Sequence, residues 1–188
     1  MQLTLTNQYD VPGTDNPLST YEDACIKNIN CPLTSYRNMG NNATLLKNSF
    51  DGDVLEREIL IQPNPDSVPA TLRSLAGDDA FDCIQTTRYD FATHTGSVET
   101  RMTGGFLKDR FNSSAQFKVR CDTPDSPRKV SYEASTKIEV SIFVVGGKIA
   151  NSLAAQMKER QPATQEFNQQ WLNAGPAQEG ITEETTQP

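Results

Sequence analysis

The sequence has little of what metal sites and disulfide frameworks need. Its 188 residues include one histidine and four cysteines. The cysteines, which are Cys25, Cys31, Cys83 and Cys121, have neither CxxC spacing nor the density of a disulfide scaffold. Because no His/Cys cluster has ligand spacing, the sequence predicts no metal site and no cofactor. The one histidine, His94, falls in a predicted turn, where we expect a solvated side chain, so no catalytic residue is assigned.

Long apolar runs and excess positive charge are also missing. No apolar run approaches the roughly 20 residues of a membrane-spanning helix, and the first six residues lack the basic and apolar regions of a secretory signal. The net charge of −7 disfavours nucleic acid as a partner, since nucleic-acid binding relies on Lys and Arg. We expect a cytoplasmic protein with reduced cysteines. Transient contact with a membrane surface is compatible with these observations.

The last third of the chain carries the strongest pattern. From Val130 to Val140 every second residue suits a packed face, and the residues between them are Ser, Glu and Lys. This period of two predicts a strand with one wet face. Gly146-Gly147 then leads into a long helix, in which Pro162 predicts a kink or break. Residues 1–174 are expected to form one domain, and residues 175–188 an acidic, disordered tail.

The sequence before this segment predicts a first strand, then short helices, then five strands connected by short turns. The expected strands are Leu3–Val11, Ala43–Phe50, Val54–Gln62, Phe81–Phe91, Gly96–Thr103 and Ser113–Cys121. A helix is expected over Leu18–Ile29, where Ser19 and Thr20 with Glu22 and Asp23 are typical of a helix start, after turn residues at Asn16-Pro17. The Asp51-Gly52 pair predicts a type I′ hairpin turn. Short connections between consecutive strands indicate an antiparallel meander.

The order of strand, short helices, six strands and long helix resembles the helix-grip fold. START lipid-transfer domains, birch-pollen-allergen proteins and polyketide cyclases (the SRPBCC superfamily) share that fold. The sequence is most similar to a START-like bacterial family of unassigned function, at the segments Gly52–Ile59, Val68-Pro69, Arg88–Phe91, Ile138–Lys148 and Phe167–Leu172. The resemblance implies an α+β fold, in which a curved antiparallel sheet of about seven strands wraps a C-terminal helix. Two short helices should follow the first strand.

The parity of the predicted strands selects a set of inward side chains. The candidate ligand-binding residues are Arg57, Ile59, Ile61, Phe81, Cys83, Phe91, Met102, Phe117, Val119, Ala134 and Thr136 on the sheet, with Leu153 and Met157 on the helix. A filled core explains these positions as well as a cavity does, and the family resemblance favours the cavity. Arg57 is the exception in this set, because an inward charge is costly unless it is paired. It therefore meets an internal carboxylate, reaches the rim, or binds an anionic head group.

These observations favour non-catalytic binding or carriage of a hydrophobic or amphipathic small molecule, such as a lipid. Its exchange would be gated by the terminal helix and the loop around Pro63–Pro69. Two alternatives stay open. One is a cyclase- or hydrolase-like enzyme that uses polar pocket residues such as Tyr89, Gln85 or Arg57. The other is a protein-interaction module with a filled core.

Overall fold

The structure, a computed structural model, describes residues 1–64, 68, 81–105, 107–121, 128–143 and 145–175. The strands are β1 (Gln2–Asp10), β2 (Asn42–Asp51), β3 (Val54–Gln62), β4 (Cys83–Asp90), β5 (Thr95–Met102), β6 (Phe111–Cys121) and β7 (Lys129–Val140). The helices are α1 (Pro17–Tyr21), a π-helical segment (Glu22–Lys27), α2 (Asn30–Asn38) and α3 (Gly146–Ala174). The expected tail, beyond its first residue, and most of the expected gating loop lie outside the described residues.

One antiparallel sheet contains all seven strands, in the order β1-β7-β6-β5-β4-β3-β2. Strands β2 to β7 pair with their neighbours in sequence, and β1 closes onto β7. The short helices follow β1, and α3 follows β7. This arrangement confirms the predicted α+β helix-grip architecture. The sheet forms because the alternation of apolar residues gives each strand one face that can pack into the core.

Two local predictions are wrong in detail. The first hairpin loop is Gly52-Asp53, since Asp51 still pairs with Val54. Only Gly52 has a positive φ (58°) in that loop, which fits the II′ class, with glycine first, rather than type I′. The first helix begins at Pro17, one residue before the expected Leu18, because Asn16 is its N-cap and accepts a hydrogen bond from the Ser19 amide. Pro17 at the first helical position is preorganised for that role.

Helix α3 runs through Pro162 without a break. Three glutamines spaced four residues apart tie it to the edge strand β1. Gln161, Gln165 and Gln169 donate to the carbonyls of Thr6, Gln8 and Asp10 at 3.0, 3.1 and 2.7 Å. Because they occupy backbone acceptors of an edge strand, these side chains both hold the helix and cover the edge.

One end of the interior is filled by stacked rings. Tyr89 and Phe117 stack with centroids 5.6 Å apart, and Tyr132 lies 5.2 Å beyond Phe117. Gly96 stands between β4 and β6 beneath the rings, and a Cβ there would lie 2.4 Å from Phe117. Only glycine therefore allows the Phe117 ring to lie flat on β5.

Candidate functional site

Two pockets lie between the sheet and α3. The larger has a volume of about 470 Å³ and is lined by residues of β1, β3–β7, the short helices and α3. The smaller has a volume of about 310 Å³ and is lined by residues of β4–β7, α3 and the loops beside them. Both volumes fall within the range of small-molecule sites.

Arg57 lies on the wall of the larger pocket, and its side chain is buried, with 4% exposed. Its Nε donates to Oδ1 of Asn48 at 3.0 Å, and its Nη2 donates to the Lys27 carbonyl at 2.9 Å. Among the described residues, no carboxylate pairs with it. Burial lowers the pKa of the Arg57 guanidinium to about 10. The guanidinium is therefore held by neutral acceptors, an arrangement that sequence reasoning did not anticipate.

A β-bulge explains why Asn48 reaches Arg57. The register between β2 and β3 shifts between Leu45 and Lys47, so Asn48 lies directly opposite Arg57. Directly opposed residues of a sheet share a face, and an extra residue in one strand reverses the parity beyond it. The bulge therefore turns a polar side chain of β2 toward the buried arginine.

Hydrogen bonds also hold several other polar side chains of the larger pocket. The Tyr36 hydroxyl donates to Oε1 of Gln85. Gln161 donates to Oδ1 of Asn7 at 2.8 Å, and Asn168 donates to the Tyr9 hydroxyl at 3.2 Å. Polar groups with satisfied hydrogen bonds keep fixed orientations, so this pocket presents an ordered polar wall beside its aromatic rings.

The smaller pocket is mainly apolar. Its apolar lining residues are Pro63, Val68, Phe81, Cys83, Met102, Leu107, Phe111, Ile138, Ile149, Leu153 and Met157. Asn41 also lines it, and its buried Oδ1 accepts no hydrogen bond among the described residues. A buried acceptor without a donor is unfavourable, so Asn41 is the exception on this wall.

The candidate residues divide between the two pockets. Those on the larger pocket are Arg57, Ile59, Phe117, Ala134, Thr136 and Met157. Those on the smaller are Phe81, Cys83, Met102, Leu153 and, again, Met157. Ile61, Phe91 and Val119 belong to neither lining and pack in or against the core clusters. Ligand binding by these residues stays a prediction.

A buried carboxylate that the sequence did not single out joins two distant segments. Glu22, in the π-helical segment, is 6% exposed and accepts a hydrogen bond from the Tyr89 hydroxyl at 2.6 Å. Nδ1 of His94 lies 2.7 Å from the same Glu22 oxygen. Burial and the bond to Glu22 raise the pKa of Tyr89. His94 is thus a partner of a buried acid rather than only a solvated turn residue, and its backbone φ is 54°.

Tyr89, proposed for the enzymatic alternative, lines neither pocket, and its hydroxyl is bound to Glu22. Within the described ranges, no group of three or more His, Cys, Asp or Glu side chains has the geometry to hold a metal ion. No helix among those residues is long and apolar enough to cross a membrane.

Comparisons with known proteins identify the fold and the family. The crystal structure of TTHA0849 from Thermus thermophilus matches at 11% identity over 93% of this chain and 98% of that chain, with a TM-score of 0.53. A START superfamily protein from Mycobacterium smegmatis matches at 15% identity over 91% and 98%, with a TM-score of 0.50.

At such identities these two structures show the fold alone. No curated protein is significantly similar in sequence. The family DUF2505, described as a protein of unknown function, matches residues 34–172, which is most of the chain. This protein therefore belongs to the DUF2505 family and has a START-like helix-grip fold.

Proposed function

We propose that this protein binds an amphipathic small molecule non-covalently, with an acidic group of the ligand on Arg57 and its apolar body in the larger pocket. One observation carries the proposal. Arg57 is buried on the pocket wall, yet in the described part of the chain only two neutral acceptors bind it. Its Nη1 donors have no partner among the described residues.

Electrostatics favours an anion at this position. A buried cation without a counter-charge is costly, and a ligand carboxylate that accepts from Arg57 offsets part of that cost. Hydrogen bonds between ionised partners are shorter and stronger than those between neutral groups. An acidic head group is therefore the ligand feature that this wall recognises best.

The rest of the larger pocket suits an apolar body. Leu5, Ile59, Val98, Ala115 and the Tyr132 ring line it. Transfer of apolar surface from water to such a wall stabilises a complex by about 25 cal/mol per Å². The ligand class is therefore a lipid-like acid rather than a small hydrophilic anion.

Ligand exchange would involve the segment after β3 and helix α3. Pro63 and Val68 line the smaller pocket together with the α3 residues Ile149 and Leu153. Relative movement of these walls would open the interior to solvent, and the proposal places the exchange route there.

The test compares dodecanoate with the neutral dodecanol in wild type, Arg57→Met and Arg101→Met, by titration calorimetry. Arg101 is an exposed arginine of β5 and is the matched control. We expect wild type and Arg101→Met to prefer dodecanoate by about tenfold or more, because a hydrogen bond to a charged group contributes about 1.5–3 kcal/mol. Arg57→Met should lose that preference.

Thermal melts of all three proteins check that any loss of binding is not unfolding, because Arg57→Met also removes the donors to Asn48 and to the Lys27 carbonyl. If wild type binds neither ligand, or if Arg57→Met retains the preference for the acid, the proposal is wrong.

A further inference from the structure

We infer that one ligand spans both pockets, with its acid on Arg57 and an unbranched apolar tail that passes beneath Met157 into the smaller pocket. This inference rests on the proposed function and names its ligand class, a long-chain carboxylate. It depends on how the two pockets meet and on the difference between their walls.

The pockets are neighbours along the same strands. On β7 the inward residue Thr136 lines the larger pocket, and the next inward residue, Ile138, lines the smaller. The same step occurs on β6 from Ala115 to Ser113, and on β5 from Val98 to Thr100. Inward residues two apart on a strand are separated by about 6.6 Å. The border between the two pockets therefore crosses β5, β6 and β7 within one such step on each strand.

The floor at this border consists mainly of small side chains. Val98, Ala115 and Thr136 are directly opposed across β5, β6 and β7, and Thr100, Ser113 and Ile138 form the next row. Four of these six residues are Ala, Ser or Thr, which project little from the sheet. The sheet therefore does not separate the pockets by itself.

The separation comes from the helix. Met157 and Arg160 of α3 are the two described residues that line both pockets. Arg160 is exposed, whereas Met157 is half-buried and packs against the cluster of Leu3 and Ile138. Methionine is unbranched and adapts its rotamers readily, so a change of rotamer joins the two spaces without any backbone movement.

The walls differ in a way that orients the ligand. The buried charge, Arg57, and the paired amides lie on the larger pocket. The smaller pocket is lined by side chains such as Phe81, Met102, Leu107 and Ile149. An alkyl chain carries no polar group that would need a partner on that mainly apolar wall, so the carboxylate lies in the larger pocket and the tail in the smaller.

The experiment measures affinities for octanoate, dodecanoate and hexadecanoate by titration calorimetry. Each buried methylene tightens binding by about fourfold, so affinity should keep rising to the longest chain in wild type. Two variants block the passage from opposite sides: Met157→Trp from the helix and Ser113→Leu from the sheet. The control is Ala155→Trp, which adds the same large side chain at an exposed position of α3.

We expect each blocking variant to lower the ratio of hexadecanoate to octanoate affinity by about tenfold or more, and the control to keep the wild-type ratio. A wild-type affinity that stops rising at octanoate, or blocking variants that keep the wild-type ratio, would overturn the two-pocket inference while acid binding at Arg57 stands. Failure of every carboxylate to bind would overturn the proposed function itself.

Discussion

The two pockets lie on one sheet and under one helix, yet their walls differ in chemistry. Four of the five tyrosines line the larger pocket and none lines the smaller. Bonded polar pairs occur on the larger wall, such as Tyr36 with Gln85, whereas on the smaller wall the Asn41 acceptor has no partner within the described part of the chain. A single face of a sheet can thus present a polar, hydrogen-bonded region next to an apolar one. Three further experiments test this contrast.

The largest expected effect is a fall in the free energy of unfolding at alkaline pH, caused by the tyrosines that line the larger pocket. Burial raises the pKa of Tyr9, Tyr21, Tyr36 and Tyr132 above the ordinary value near 10. Above about pH 10 the unfolded chain loses tyrosine protons that the folded protein keeps, so the free energy of unfolding falls as pH rises. Each such tyrosine contributes about 1.4 kcal/mol per pH unit. Arg57, with its pKa lowered to about 10, has the opposite slope and offsets one tyrosine.

Urea unfolding from about pH 9 to about pH 11 measures this slope, and Tyr36→Phe should make it shallower. Tyrosinate absorbance should appear only together with loss of the far-ultraviolet circular dichroism signal. Its appearance near pH 10 in protein that is still folded would contradict the burial of this wall.

Matched leucine truncations should give the next largest effect. Leu55 lines the larger pocket, is 0% exposed and packs in the same core cluster as Tyr89 and Phe117. Leu55→Ala should therefore lower the free energy of unfolding by about 3 kcal/mol or more. Leu153, on the smaller pocket, is only half-buried, so Leu153→Ala should cost about 1–2 kcal/mol. Chemical denaturation of both variants measures the difference. Equal costs would mean that the two walls are packed equally well.

The smallest effect is a gain in stability. Asn41→Leu removes the unpaired buried acceptor of the smaller pocket and should raise stability by about 1 kcal/mol, or the melting temperature by about 2–4 °C. Asn42→Leu, at the exposed neighbouring position, is the control and should change little. If Asn41→Leu were less stable than wild type, the buried Asn41 side chain would be stabilising the fold, and the prediction would be wrong.

Much of the fold could be predicted because strand parity is a local property. The bounds of β3 agree with the expected Val54–Gln62, and those of β7 differ by one residue from Val130–Val140. The inward direction of Arg57 followed from the same alternation, and the structure buries that side chain. Each of these features depends on residues close together in the chain.

The site was less predictable because its contacts join distant segments. Arg57 donates to a carbonyl 30 residues away, and His94 lies against a carboxylate 72 residues away. The bulge that places Asn48 beside Arg57 leaves no clear sign in the sequence of β2. The spacing of Gln161, Gln165 and Gln169 is visible in the sequence, but its role depends on β1 lying alongside α3.

Outside the bulge of β2, the sequence by itself determined which strand side chains face inward, because the alternation of a strand is set by its own backbone. The tertiary structure decided which of those positions fill with rings and which leave space. The reason is packing: Val119 and Thr136 both face inward and both are buried, yet Val119 lies in the filled cluster and Thr136 borders the larger pocket. Such a difference depends on the size and position of neighbours from other strands and from α3, and no single stretch of sequence contains that information.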